Sequence, residues 1–214
     1  MSHLRPQLAA GAQRLFRIFK DAGVEALLVG GAAAAAGGNE RDTKDLDVNL
    51  FSTPKQTVSV LKALRQHGIT VTPLEWAGRY SANIPASAPG KKDAVKVDLA
   101  VKGNSSILAY TQTTVSLPGV VFANTQWLLV DKIRTMAERV KKDTAKQSSD
   151  LLDIQYCLNS VTDPLPQDLL DHIPETVWAE FWERAQVLEP DFIGLARVLF
   201  PPIGLPKPPS ASGS

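Results

Sequence analysis

Arg41-Asp42-Thr43-Lys44-Asp45-Leu46-Asp47-Val48-Asn49-Leu50 changes character halfway along. From Asp45 onward it alternates strictly, which places Asp45, Asp47 and Asn49 on one face of a half-buried strand and Leu46, Val48 and Leu50 on the other. Two carboxylates at i and i+2 then project to the same side, with Cα atoms roughly 7 Å apart at a rise of ~3.3 Å per residue. By itself such a pair is ordinary, because the solvent face of any half-buried strand can carry two acids. Its surroundings give it meaning.

Upstream, Val24–Val29 is a short apolar run that reads as a buried central strand, and it ends in Gly30–Gly31 before the alanine run Ala32–Ala36 opens a helical turn. Glycine at a strand-to-helix junction lets backbone approach a phosphate, and the free N–H groups of a helix start favour an anion. Downstream, Ser52-Thr53-Pro54 starts a helix whose apolar face, Val58, Leu61 and Leu64, runs to Gly68. Ile69–Trp76 reads as a strand, and the Gly, Ser and Pro of residues 78–91 as a loop. A second alternating segment then places Val95, Val97, Leu99 and Val101 on one face and Lys96, Asp98 and Ala100 on the other. Asp98 is a third carboxylate that joins Asp45 and Asp47 if the two strands are neighbours. Three converging acids are unfavourable without cations. Mg²⁺ prefers carboxylate, water and phosphate oxygens, and paired metal ions about 3.5–4 Å apart serve phosphoryl transfer.

The remainder of the chain frames this segment. Leu4, Leu8, Ala12, Leu15, Phe16 and Phe19 recur at helical spacing before Gly23. This basic helix has the look of a transit peptide, but it runs straight into a strand without a Ser-rich cleavage region. From Trp127 the period is helical, with Leu128, Ile133, Met136 and Val140 on one face. A second helix is expected at about 149–158, and a third opens at Pro174 with Val177, Trp178, Phe181, Trp182 and Ala185 as a core face. Residues 200–214 hold five prolines and end in small polar residues, which predicts a flexible tail. The expected organisation is therefore 1–123, an α/β core with a small mixed sheet flanked by helices, then 124–199, all-helical, then the tail.

Composition removes whole classes of function. The 214 residues, 44% hydrophobic and 21% charged, are ordinary for a globular chain, and no apolar run approaches the ~20 residues of a membrane span. One cysteine, Cys157, allows no internal disulfide and no Cys-built zinc site, so a cytoplasmic setting is expected. His3, His67 and His172 are too scattered to signal a His cluster. The net charge of +1 conceals an asymmetry: residues 1–160 hold 20 Lys and Arg against 14 Asp and Glu, whereas residues 161–214 hold 3 against 8. A front region at +6 suits a polyanionic ligand such as a nucleotide.

The order of an apolar strand, Gly30–Gly31, a short helix, Asp45-Leu46-Asp47 and an isolated Asp98 in Val97-Asp98-Leu99 resembles the nucleotidyltransferase-like superfamily related to DNA polymerase β. Gly30–Gly31 followed by Arg41-Asp42-Thr43-Lys44-Asp45-Leu46-Asp47 is similar, more narrowly, to the AbiEii/AbiGii toxin-type nucleotidyltransferases and their uncharacterised relatives. Lys132, Arg139, Lys146 and Asp150 within 129–153 resemble the basic helix and following Asp-bearing helix of that group.

The resemblance implies that Asp45, Asp47 and Asp98 hold two Mg²⁺ ions, with Mn²⁺ a substitute, and that Asp98 helps deprotonate an acceptor hydroxyl. It implies that the Gly30–Gly31 loop holds an NTP such as ATP, and that Lys132 contacts its phosphates. Arg139, seven residues on, shares the face of Lys132; both can alternatively pair with Asp131, Glu138 or Asp143 on a solvated helix. Arg41 and Lys44 flank the acidic pair, either as triphosphate contacts or as simple charge balance. Asp150 is expected in a first helical turn, where the dipole stabilises an acid in any protein. The implied reaction moves a nucleoside monophosphate to a small molecule, a protein or, in a toxin–antitoxin setting, tRNA. Gly31 stands where many superfamily members carry Ser. A non-catalytic member that binds a nucleotide or a partner is the alternative.

Overall fold

The computed structural model describes residues 3–40, 42–85, 94–103 and 106–208. It divides into two compact units, Met1–Asn124 and Thr125–Ser214.

The first unit is built on a mixed sheet. Its strands are β1 (Glu25–Val29), β2 (Asp45–Phe51), β3 (Thr70–Pro73), β4 (Arg79–Ile84), β5 (Val95–Lys102), β6 (Thr111–Gln112) and β7 (Phe122–Ala123), in spatial order β3-β4-β5-β2-β1-β7-β6. Antiparallel pairing joins β1 to β2, β3 to β4, β4 to β5 and β6 to β7, whereas β2 runs parallel to β5 and β1 parallel to β7. The strand β4 lies within residues 78–91, where a loop is expected from sequence. Tyr80, Ala82 and Ile84 alternate with Arg79, Ser81 and Asn83, but the Ser, Asn and Gly content hides a period of only three apolar positions.

One face of the sheet is apolar. Leu46, Val48 and Leu50 stand in register with Val97, Leu99 and Val101 of β5, and Ala82 and Ile84 of β4 extend the row. Helix α1 (Pro6–Asp21) covers this face with Leu8, Ala12, Leu15, Phe16 and Phe19, all buried. A Cβ on its Gly11 would sit 3.3 Å from Ile84 and 3.4 Å from Val95, so helix and sheet approach closely there. Helix α2 (Gly30–Gly37) follows β1 without a loop, and its five alanines are buried. Helix α3 (Pro54–Gln66) starts with a complete capping box. Gln56 N–H donates to Thr53 Oγ1 at 3.3 Å, and Thr53 N–H donates to Gln56 Oε1 at 3.0 Å.

The second unit is helical: α4 (Thr125–Glu138), α5 (Thr144–Ser160), α6 (Gln167–Leu170), α7 (Glu175–Leu188) and α8 (Pro190–Leu199). Helix α5 begins five residues before the expected 149. Its first turn is polar and carries no apolar period, so the pattern was blind to it; Gln147 is buried and donates to Val140 O at 3.0 Å. The core is aromatic. Phe181 lies 4.8 Å from Trp182, and Trp182 lies 5.1 Å from Phe200, with Trp178 and Phe192 completing the cluster. Phe200 belongs to the segment expected to be a flexible tail, and the structure differs over 200–208. Residues Pro201–Ile203 form a 3-10 turn, Ile203 and Leu205 are buried, and Leu165 N–H donates to Ile203 O at 2.9 Å. Three apolar anchors among the prolines outweigh the composition. Residues 209–214 lie outside the described set.

Among the described residues, no helix is long and apolar enough to cross a membrane.

Candidate active site

The parallel pairing of β2 with β5 is the decisive element of the site. Its register sets Asp47 opposite Asp98 and Asp45 opposite Lys96. In-register residues on adjacent strands share a face at a spacing of about 4.8 Å, so Asp45, Asp47 and Asp98 occupy one patch on the face away from Leu46, Val48 and Leu50. A shift of one residue would send Asp98 into the apolar layer. Asp45, Asp47 and Asp98 are each half-buried. The antiparallel pairing of β4 with β5 places Ser81 beside Asp98 and Asn83 beside Lys96, so the polar face continues across β4.

Gly30 closes the patch on the other side. It follows Val29, whose register partner is Asp47, and it has φ +65°. A Cβ at this position would stand 2.4 Å from Asp47 Oδ2 and 3.1 Å from its Cγ, so Asp47 would have to move. Glycine is therefore required here twice, for the backbone conformation and for the closeness of the Asp47 carboxylate. Gly31 is buried in the first turn of α2. The alanines behind it let the helix start lie this near the sheet.

Lys96 is the residue whose role sequence reasoning overlooked. Alternation already placed it on the face of Asp98, and the structure adds a contact: Lys96 Nζ lies 3.1 Å from Asp98 Oδ2. That hydrogen bond is the largest cause holding the Lys96 ammonium above the ordinary lysine range. Partial burial opposes it, and the charges of Asp98, Asp45 and Asp47 reinforce it. The patch thus carries a cation of its own chain on Asp98. Among the described residues, no group of three or more His, Cys, Asp or Glu side chains is arranged to hold a metal ion outright. The expected three-acid metal centre is therefore not assembled here: strand register puts Asp45, Asp47 and Asp98 on one face, and Asp98 is engaged by an ammonium instead. Carboxylates are nonetheless the donor type that suits Mg²⁺.

Of the flanking residues, Lys44 is exposed directly before β2, and Asp42 is paired with Arg5 at 3.0 Å. Arg41 lies outside the described residues.

Lys132 and Arg139 have partners other than those expected from sequence. Lys132 on α4 is 6% exposed and reaches two buried acids of α5, Asp150 Oδ1 at 3.0 Å and Asp153 Oδ2 at 2.8 Å. Arg139 also pairs with Asp150. Burial works against the Lys132 charge, but Asp150 and Asp153 more than offset it and hold its pKa above the ordinary value. Two cations and two carboxylates form a neutral internal cluster, so these charges are matched inside the second unit and are not a spare positive patch. Asp150 sits in the second turn of α5 and not in the first, because the helix starts at Thr144. Asp153 was missed, although its i+3 spacing from Asp150 was a legible signal. Lys146 pairs with Asp143 at 3.4 Å on the surface.

No protein-family model matches the sequence, and no curated protein matches it. The three-dimensional arrangement does have counterparts, and the fold is a nucleotidyltransferase fold: a mixed α/β core with a seven-stranded sheet flanked by helices. An antigenic nucleotidyltransferase-like protein from Paracoccidioides brasiliensis superposes with a TM-score of 0.61 at 18% identity, over 89% of this chain and 93% of that one. The antibiotic-resistance factor ANT(2'')-Ia superposes at 0.54 and 13% identity, over 86% of this chain and 96% of that one. Its complex with adenylyl-2''-tobramycin gives 0.53 at 12% identity, over 83% and 98%.

Proposed function

We propose that this chain is a Mg²⁺-dependent nucleotidyltransferase that moves a nucleoside monophosphate from an NTP, such as ATP, to an acceptor hydroxyl and releases pyrophosphate. The observation that carries the proposal is the β2–β5 register, which gathers Asp45, Asp47 and Asp98 on one face with the Gly30 backbone pressed against Asp47. Asp45, Asp47 and Asp98 would hold the magnesium, and Mn²⁺ could replace it. Bound there, the metal supplies charge neutralisation at the phosphates.

The chain's own residues have distinct tasks in this reading. The backbone around Gly30 and Gly31, at the start of α2, receives the triphosphate, and exposed Lys44 offers a cation beside it. Asp98 accepts the proton of the acceptor hydroxyl as its oxygen bonds to the α-phosphorus. The bond from the α-phosphorus to the bridging oxygen breaks, and pyrophosphate leaves with that electron pair. Positioning and charge complementarity carry such a reaction, so an apparatus without His or Cys suffices.

The stretch from Gly30 to Asp47 favours a relationship to the AbiEii-type enzymes, and with it a cytoplasmic toxin–antitoxin setting. The acceptor is then a small molecule, a protein or tRNA. Isothermal titration with the four NTPs tests the reading. Saturable binding is expected with Mg²⁺ and is expected to vanish without it, and Asp47→Asn should abolish it with an unchanged circular dichroism spectrum. Metal-independent binding, or none, would overturn the proposal. A second reading, nucleotide binding without transfer, is favoured by one observation, the missing hydroxyl at Gly31. It predicts that wild type binds NTP yet releases no pyrophosphate with any acceptor class.

A further inference from the structure

Lys96 stands in an unusual place for a lysine. It projects from β5 two residues before Asp98, on the same face, and in register with Asp45 on the neighbouring strand. Its Nζ hydrogen-bonds to Asp98 Oδ2 at 3.1 Å, so the carboxylate on the second strand of the patch is already engaged by a cation. The lysine side chain is half exposed, at 53%. Buried Lys132 is a contrast within the same chain: its ammonium is shut in between two carboxylates.

We propose that Lys96 is a tethered counter-cation of the acidic patch: it engages Asp98 in the metal-free chain and releases it when a divalent cation takes up Asp45, Asp47 and Asp98, thereby setting the metal affinity. The inference rests on the transferase reading above and extends it to a residue with no part in that reaction. Its physical content is competition. Three like charges on one sheet face repel each other, and a monovalent ammonium on a flexible stem relieves the repulsion without filling a coordination sphere. A divalent ion must then displace it, and the metal-bound patch retains a nearby positive charge that weakens binding. A lysine here keeps the patch tolerable when metal is scarce and keeps metal binding reversible.

The test uses the full chain without nucleotide, titrated calorimetrically with MnCl₂ and with MgCl₂. Lys96→Gln is expected to bind Mn²⁺ roughly tenfold more tightly than wild type, given the Coulomb interaction of unit charges a few ångströms apart near a surface. Lys96→Arg keeps the charge and should remain within about twofold of wild type on the same grounds. In EDTA, Lys96→Gln should melt at a lower temperature than wild type, and saturating Mn²⁺ should erase the difference. Equal or weaker Mn²⁺ binding by Lys96→Gln would overturn the proposal even if the melting temperature fell, because a purely structural ion pair predicts the fall alone. The wild-type titration separates the two readings. Binding in wild type that Asp47→Asn removes, with no gain in Lys96→Gln, overturns the role of Lys96 and leaves the transferase reading standing. No saturable binding in either protein overturns both.

Discussion

Gly30 shows how much a single position can be asked to do. Its φ of +65° lies where an L side chain is strained by about 1–2 kcal/mol, and a Cβ there would collide with Asp47 Oδ2. Gly23 has nearly the same φ, +66°, with nothing within 4 Å of a Cβ. The pair separates backbone strain from crowding at the carboxylate. Gly23→Ala is expected to cost only the strain, whereas Gly30→Ala should lower the melting temperature further and also weaken Mg²⁺-dependent NTP binding by displacing Asp47. Calorimetric melting and NTP titration of both variants check this, and equal effects at the two sites would rule out a role for the close approach. The glycine pair was legible in sequence as a strand-to-helix junction. Its contact with Asp47 was not, because nothing in local spacing states that β1 pairs antiparallel with β2.

Between elements, the charge cluster joining α4 to α5 is where sequence reasoning and structure part company. Seven-residue spacing predicts Lys132 and Arg139 on one helix face, but α4 ends at Glu138 and Arg139 lies one residue beyond it. Spacing could not say that the face points inward, because a buried lysine and a solvated one look identical until the partner helix brings Asp150 and Asp153 to it. The strand pattern around Asp45 and Asp98 was easier to read, since period-two alternation fixes both the face and its chemistry. Strand β4 and the first turn of α5 escape the sequence for the opposite reason: polar residues dominate them, so the hydrophobic period is weak, and the Gly, Ser and Pro of 78–91 point to a loop instead.

The cluster makes its own prediction. Lys132→Met leaves Asp150 and Asp153 buried with less compensation, and the destabilisation expected from breaking a buried pair is about 3–5 kcal/mol, read as a shift in the urea midpoint. Adding Asp150→Asn and Asp153→Asn should recover part of it. Because the folded-state pKa of Lys132 lies above its unfolded value, the associated stability is complete below the unfolded lysine value of about 10.4 and is lost as pH rises through the folded one. Stability should therefore fall in the alkaline range above that value, and the fall should be smaller in Lys132→Met.

For the whole molecule, two compact units with separate cores mean that probes must be assigned to the unit they report on. Cys157, the single cysteine, lies on α5 beneath the Lys132 cluster and is fully buried. Burial pushes its thiol far above the ordinary range, the Asp153 charge adds to this, and Lys132 opposes it. The native chain is expected to resist alkylation at neutral pH. In rising urea, and with Trp76→Phe so that all remaining tryptophans lie in this unit, the mass shift of a labelled Cys157 should follow the tryptophan fluorescence change. Labelling before that transition would show local opening of α5.

The parallel register of β2 with β5 also bears on how this chain is aligned with the structures whose fold it shares. At identities of 12–18% an alignment is held together largely by where its gaps fall. Within either strand a gap is a chemical statement, since deleting one residue between Val95 and Asp98 would turn an acid inward and a valine outward. Between strands a gap is silent, because length can vary there without altering parity. Chains of this fold that keep acids at these three strand positions should therefore vary in length between β4 and β5 and almost never within them, and a single odd-numbered slip would scatter the acids while leaving the fold intact.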